Sequence, residues 1–596
     1  PGGMEADWAS AISVRWVEVN KGDDENPKYR SRLVAREIRM AGEDAIFAPT
    51  PPLESLRMVL SYATTDFANE PKKIYDPKSP HRMQVLAIDI SRAYFNAVTP
   101  DDEPTFVEFP PEFGAAPGMC GLLERHMYGT RRAADGWQSE YSSTLRTFGF
   151  AQGAASACVF RHKERQLVCS VHGDDFTVSG PCSSLDWFEA KMKSKYELTV
   201  GGRLGPGPDD AKEISMLNRI VRWTDRGIEY EADPRQVEKL LREIELEGAN
   251  GAVTPGVKVL SHQVETETDL PEKEFTRFRA LAARANYLAA DRIDVLYSAK
   301  EVCRFMSRPT DIAIGALKRL ARYLRSRPRM VFDFEFQTAE GIECYTDTDW
   351  AGCTRTRKST SGGCLMVGQH PIKAWSATQA SIALSSGEAE YYGVVRGAGI
   401  ALGIKALYND IGLALAIRVW TDSTAALGIG GRQGLGKLRH LECHSLWVQQ
   451  RLRRKEFRLL KVDGEVNPAD LSTKHLESRN KLDQVVGLFG CRFMEGRAAL
   501  APTLKSDAAA HFVLGASGAC SSGTKKRNRA HDPALLPHQH LPEDIEELFP
   551  EAVADPPRRG EDDLDPIDEL RDPVPALYRE RALRARSDTQ KARRRQ

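Results

Sequence analysis

The 596-residue sequence has no surplus of either charge, since 83 Lys and Arg balance 83 Asp and Glu. That excludes a protein that coats nucleic acid by bulk positive charge, but not an enzyme whose basic channel is offset by acidic patches elsewhere. Cysteine is sparse: eleven residues, an odd number, never in C-x-x-C spacing. A disulfide-stapled scaffold and a structural zinc site do not fit that pattern, and a reducing compartment does. No apolar run approaches the roughly 20 residues of a membrane span. The opening PGGMEADWAS has neither the basic nor the apolar region of a secretory signal. The expected location is therefore intracellular, cytoplasmic or nuclear, with no membrane partner. No solenoid-type repeat is visible. What is present is ordinary for globular protein, 41% hydrophobic and 28% charged residues, and the length suggests about four domains.

Residues 10–180 read as mixed α/β, with apolar strands at VLAIDI (85–90) and LVCSV (167–171) and a helix over LESLRMVLSYATT (53–65). Gly- and Pro-rich VGGRLGPGP (200–208) predicts a break. From 231 to 336 the pattern is mainly helical; Leu317, Leu320, Ala321 and Leu324 fall on one helix face. Near 342 the period switches to two in IECYTD, followed by strands at 362–368 and 371–376, a helix from about 387, a strand at 416–421, and more helix to about 456. This second α/β block ends near 476. From 503 the text is Pro-rich, Ala-rich and charge-blocked, and a disordered tail is expected. Its basic clusters KKRNR (525–529) and KARRR (591–595) read as solvated, with nuclear import or nucleic-acid binding as the alternative.

Two groups of acids carry the chemistry. In VHGDDFTV, Asp174 and Asp175 lie between two β-like runs, and Asp89 ends the strand of LAIDISRAYFNA. Singly these are a hairpin turn and a strand-end cap. Together they can hold two hard divalent cations through oxygen ligands, roughly 3.5–4 Å apart, as phosphoryl transfer requires. The second group comprises CYTDTDWAG, ALSSGEAEYYGVV, VWTDSTAAL and NPADLSTKHL. Each of these also has a dull reading as a cap or a surface acid.

The motif text resembles the polymerase of copia-type LTR retrotransposons, as a fragment of a Pol polyprotein. AIDISRAYFNA and VHGDDFTV are similar to the two metal-binding motifs of a reverse transcriptase, and YRSRLVARE (29–37) to the fingers motif. FAPTPPLESLRMVLSYA follows in family order, and MYGTRRAADGW (127–137) resembles M/L-Y-G-L-K-Q-A-P-R-A-W. FRALAARANYLAADRIDVLYSAKEVCRFMSRPT and ALKRLARYL look like the helical connection. RKSTSGGCLM (357–366) and LSSGEAEY resemble the ribonuclease H domain that follows it. The likeness runs from about 14 to about 476.

The resemblance implies a multidomain α/β (α+β) protein of right-hand polymerase type. Fingers and palm would lie at 1–230, N-terminally truncated, and a helical thumb and connection at 231–336. A ribonuclease-H-like mixed-sheet domain would span 337–480, a short extension 481–502, and the tail 503–596. The function implied is RNA-directed DNA synthesis with cleavage of the RNA strand of RNA–DNA hybrids. Mg²⁺ would serve as cofactor, two ions per site with Mn²⁺ as a substitute, and RNA template, DNA primer, hybrid and deoxynucleoside triphosphates as partners. Hybrid would be recognised through backbone geometry and 2′-hydroxyls.

The polymerase metals would be held by Asp89, Asp174 and Asp175. Tyr94 would lie against the nucleotide sugar and exclude a ribose 2′-hydroxyl, with a core aromatic as the alternative. Arg30 and Arg32 would contact the triphosphate. The ribonuclease H metals would be held by Asp347, Glu390, Asp422 and Asp470. Residues i and i+2 of a helix point about 200° apart, so Glu388 and Glu390 cannot both serve. Ser385-x-x-Glu388 fits a capping box, which leaves Glu390. Period-two geometry does not choose between Asp347 and Asp349; the resemblance favours Asp347.

Departures from the family pattern also bear on function. Arg132, Ala134 and Asp135 stand where the family has Gln, Pro and Arg beside the nucleotide site, and the usual first strand is absent. The primer-grip likeness over 200–223 is loose, and the histidine that some ribonucleases H place before the last Asp is missing from EVNPAD. His440 and His444 have His-x-x-x-His spacing without a third zinc ligand and read as a recognition segment. The alternative reading is an inactive remnant that at most binds nucleic acid.

Overall fold

The computed structural model describes residues 11–20, 27–38, 48–116, 119–436, 439–441, 443–502 and 504. The tail, with both of its basic clusters, lies outside the described residues apart from residue 504, as does the side chain of His444. No helix among the described residues is long and apolar enough to cross a membrane.

The first hairpin pairs β1 (Val14–Asn20) with β2 (Tyr29–Ala35). Helix α1 (Leu53–Ala63), β3 (Thr65–Phe67) and β4 (Met83–Ile90) follow, then a small hairpin of β5 (Phe106–Glu108) and β6 (Cys120–Leu122), and α2 (Ala133–Thr147). Next come β7 (Ala151–Gln152), β8 (Val159–His162), β9 (Leu167–His172), β10 (Asp175–Pro181), α3 (Cys182–Lys195) and β11 (Leu198–Leu204). They build an antiparallel sheet in the order β11-β4-β10-β9-β8-β7. Leu86, Ile88 and Ile90 alternate along β4 and pack with Trp137 and Tyr141 of α2 and Phe188 of α3. The intervening positions Val85, Ala87 and Asp89 share the opposite face, on which Asp89 emerges exposed at the strand's end.

The expected break at 200–208 is a strand as far as Leu204. β11 pairs with β4 through a bulge between Val200 and Gly202, and the turn begins only at Gly205. Gly202 at φ +147° supplies the irregular backbone that the bulge demands. Gly201 and Gly202 thus belong to the sheet, while Gly205 and Gly207 lie in the expected break.

The second sheet is built from distant segments. β12 (Glu213–Met216), β13 (Arg219–Thr224) and β14 (Gly227–Glu231) precede five helices: α4 (Pro234–Glu243), α5 (Ser261–Glu265), α6 (Phe275–Ala289), α7 (Leu296–Cys303) and α8 (Asp311–Ser326). β15 (Arg329–Glu335) then pairs with β14. On α8, Leu317, Leu320, Ala321 and Leu324 are all buried, as their spacing predicts.

The third sheet contains β17 (Gly341–Asp349), β18 (Thr360–Val367) and β19 (His370–Thr378), reached through the short β16 (Gln337–Ala339). After α9 (Ser386–Asp410) come β20 (Ala416–Thr421), α10 (Thr424–Gly431), α11 (Trp447–Arg453) and β21 (Arg458–Lys461). The order is β19-β18-β17-β20-β21, with β19, β18 and β17 antiparallel and β17, β20 and β21 parallel. Last, α12 (Arg479–Leu488) leads to β22 (Cys491–Met494), which returns to the second sheet beside β15.

Helix α1 joins the first and third sheets. Its residues 55–63 are all buried, polar Ser55, Arg57 and Ser61 among them, so the helix is covered on every side. Its one buried cation, Arg57, donates to the Ile372 carbonyl at 3.0 Å and pairs with Asp291 at 3.1 Å. Asp291 also accepts from Arg219 and Tyr230, so this one carboxylate serves two arginines and a phenol.

Candidate metal centres

In the first sheet the register places Asp175 directly opposite Asp89. Asp174 occupies the tip of the β9–β10 hairpin, and its carbonyl accepts the Ile90 N–H at 3.0 Å. The tip turns on Gly173 at φ +65°, a conformation glycine adopts without a Cβ clash. The buried Trp137 fixes it further by donating Nε1–H to the Gly173 carbonyl at 2.8 Å. Burial, with Asp174 and Asp89 adding to it, pushes the Asp175 carboxyl up to about 6. The ring of Tyr94 lies 4.6 Å from that of Tyr128, and Arg32 stands over Tyr128 at 5.4 Å. Burial and the nearby Asp174 raise both phenols. Arg30 and Arg32 are exposed on β2. Arg132 pairs with Glu103 at the edge of a cleft of about 350 Å³ that His126, Asp135 and Glu140 also line.

The second centre is tighter. Asp347 on β17, Glu390 on α9 and Asp422 just past β20 each offer an oxygen, and these atoms lie within 4.8 Å of one another. Among the described residues this is the trio that closes to that distance; the Asp89, Asp174 and Asp175 set does not. Glu390 Oε2 is buried with no hydrogen-bond partner. Burial, then Asp347 and Asp422, pushes its carboxyl up to about 9, and burial, then Asp347, raises Asp422. An orphaned, buried oxygen among like charges is costly unless a cation satisfies it. Three hard oxygen donors of this kind fit Mg²⁺ or Mn²⁺.

Glu388 is used elsewhere. Ser385 Oγ accepts the Glu388 N–H at 3.2 Å, and Glu388 reaches back to the Leu384 N–H at 2.9 Å. The carboxylate also meets His440 Nε2 at 2.9 Å. Asp349 at the end of β17 lies outside the trio.

Asp470 stands apart from the trio and is tied to it by Lys474, whose Nζ lies 2.8 Å from Asp470 Oδ1 and 3.5 Å from Asp347 Oδ2. Burial, then Asp347, pushes Asp470 up to about 6. Thr473 donates its hydroxyl to Asp347 Oδ2, and Asn467 Nδ2 donates to the Thr346 carbonyl at 3.0 Å, so the 467–474 segment is laid along β17. Sequence reasoning passed over Lys474 and Thr473, which sit inside NPADLSTKHL, and Trp137. A lysine four residues after an aspartate reads as an ordinary surface pair.

A multi-sheet α/β protein with one acidic trio able to hold a divalent cation, and a second acidic set at a hairpin tip, defines the class. The family profile described as reverse transcriptase (RNA-dependent DNA polymerase) matches residues 6–255. The chain carries a reverse-transcriptase domain related to the Pol polyproteins of plant copia-type retrotransposons. It is 24% identical over 482 residues to the retrovirus-related Pol polyprotein from transposon RE2 of Arabidopsis thaliana, covering 78% of this chain and 31% of that protein. To the corresponding polyprotein from transposon TNT 1-94 of Nicotiana tabacum it is 23% identical over 499 residues, covering 80% and 35%. The chain thus spans about a third of the length of these relatives. Among solved structures, the prototype foamy virus protease–reverse transcriptase aligns over 78% of this chain and 52% of that chain, at 10% identity and a TM-score of 0.22.

Proposed function

We propose that this chain is an RNA-directed DNA polymerase with an associated ribonuclease H activity on RNA–DNA hybrids, using Mg²⁺ at both acidic centres. The carrying observation is the trio Asp347, Glu390 and Asp422, of which Asp347 is buried and the others half-buried, with its unpartnered Glu390 oxygen, in a chain that also sets Asp89 opposite Asp175. Under this reading 1–230 serve as fingers and palm, 231–336 as thumb and connection, and 337–480 as the ribonuclease-H-like domain. The mixed order β19-β18-β17-β20-β21 supports the last of these. Asp89, Asp174 and Asp175 would hold the polymerase cations; Asp347, Glu390, Asp422 and Asp470 would serve the nuclease centre. Bound magnesium would supply charge stabilisation and an activated oxygen nucleophile. Tyr94 would lie against the incoming sugar, with Arg30, Arg32 and Arg132 on the phosphate side. The partners would be RNA template, DNA primer, hybrid and deoxynucleotides.

The test is primer extension on an RNA template with Mg²⁺, beside Asp174→Asn/Asp175→Asn, and cleavage of a labelled hybrid beside Asp422→Asn. Extension lost only in the first variant, and cleavage lost only in the second, is the expected pattern. The second reading, a remnant that only binds nucleic acid, draws on the Arg132–Glu103 pair, which occupies a side chain expected to face nucleotide. It predicts that the parent performs neither reaction.

A further inference from the structure

We propose that the Lys474 ammonium takes the place of a second divalent cation in the nuclease centre, so that the centre binds one metal ion, between Asp347, Glu390 and Asp422. This inference rests on the ribonuclease H reading above. It begins from how the four acids divide. Three of them converge to within 4.8 Å and leave a buried Glu390 oxygen without a protein partner, a donor set that fits one divalent cation. Asp470, the fourth, has its counter-charge already: Lys474 Nζ is 2.8 Å from it and 3.5 Å from Asp347. Asp347 is therefore the acid shared between the two positions, as a bridging carboxylate is between two metal ions.

The backbone that presents Lys474 is anchored, and the side chain itself is 44% exposed. Asn467 anchors its segment to the Thr346 carbonyl, Thr473 grips the Asp347 oxygen that Lys474 also faces, and Gly362 provides the room. A Cβ on Gly362 would fall 2.5 Å from Thr473 Cγ2. An ammonium is a compact point charge with three donors and no demand for octahedral geometry. It can neutralise and position two carboxylates without needing their remaining lone pairs, but it offers no ligand position to a water. With four carboxylates, one divalent ion and one ammonium, the centre carries a formal charge of −1. Two divalent ions and the ammonium would make it +1, with the ammonium and the second ion competing for the same oxygens.

The experiment counts ions. Full-length chain carrying Asp174→Asn/Asp175→Asn, to silence the other centre, is titrated with Mn²⁺, with free ion followed by electron paramagnetic resonance. One bound ion, abolished by Asp422→Asn, is expected. Lys474→Met, similar in length and uncharged, is expected to bind a second ion, or to bind the first roughly tenfold or more tightly. Lys474→Arg, which keeps the charge, should stay at one. Two ions in the parent overturn the proposal, as does a Lys474→Met titration superimposable on the parent's in a variant whose circular dichroism is native. If hybrid cleavage in Mg²⁺ persists in those cases, the ribonuclease H reading stands and only the ammonium role fails. A parent that binds no Mn²⁺ and cuts no hybrid overturns both.

Discussion

At residue scale, the availability of Asp347 is decided by its neighbours across the sheet. Gly362 is its register partner, and an added Cβ would strike Thr473 and the Ser472 backbone. Gly362→Ala should cost about 1–3 kcal/mol of overpacking. It should depress hybrid cleavage while leaving primer extension near the parent level, and paired assays on one preparation would show this. His475, next to Lys474 in the chain, gives a second prediction. Burial pushes its imidazole down to about 4, with Arg319 and Lys300 pushing the same way and Glu301 opposing them. An unfolded histidine titrates near about 6.5. The unfolded chain therefore takes up a proton that the folded one refuses between those values. Stability is fully present above about 6.5 and falls as the pH drops toward 4, with this residue adding at most about 1.4 kcal/mol per pH unit. His475→Phe should flatten that part of the curve in urea melts between pH 7 and pH 4.

At the scale of elements, the parts that a local pattern can encode were legible. VLAIDI and LVCSV are strands, the 53–65 run is α1 as far as Ala63 with Thr65 already in β3, and the stripe on α8 faces the core. The i, i+2 argument separates Glu388 from Glu390, and the structure sends these two carboxylates to different partners. What local pattern cannot encode is pairing between distant segments. β22 joins β15 and β16 runs parallel to β3, and no property of these short runs specifies the partner. VGGRL misled for a related reason, because a bulge glycine and a loop glycine look alike in sequence. Another long-range device is the end of α9, where Asp410 accepts the N–H groups of Ala154, Ala155 and Ser156 at 2.8–3.0 Å. Asp410→Ala leaves those donors without this acceptor. A loss of about 1–3 kcal/mol is expected, with faster amide exchange at 154–156 than in the parent.

At the scale of the molecule, α1 holds the two acidic centres in one body. It packs between the sheet carrying Asp89 and Asp175 and the sheet carrying Asp347, and Arg57 is its polar pin to Asp291 and Ile372. Removing one partner of such a buried pair costs about 3–5 kcal/mol. Arg57→Ala should therefore lower the urea midpoint and reduce extension and hybrid cleavage together, unlike substitutions at either centre. A variant that lost one activity alone would show that α1 does not couple the two sheets. The most direct test of the account is anomalous diffraction at the manganese edge from crystals of the full chain grown in Mn²⁺. A peak enclosed by Asp347, Glu390 and Asp422, and separate density at Asp89, Asp174 and Asp175, is the predicted result. Anomalous maps flat at both places, from crystals that retain the side-chain positions described, would contradict it.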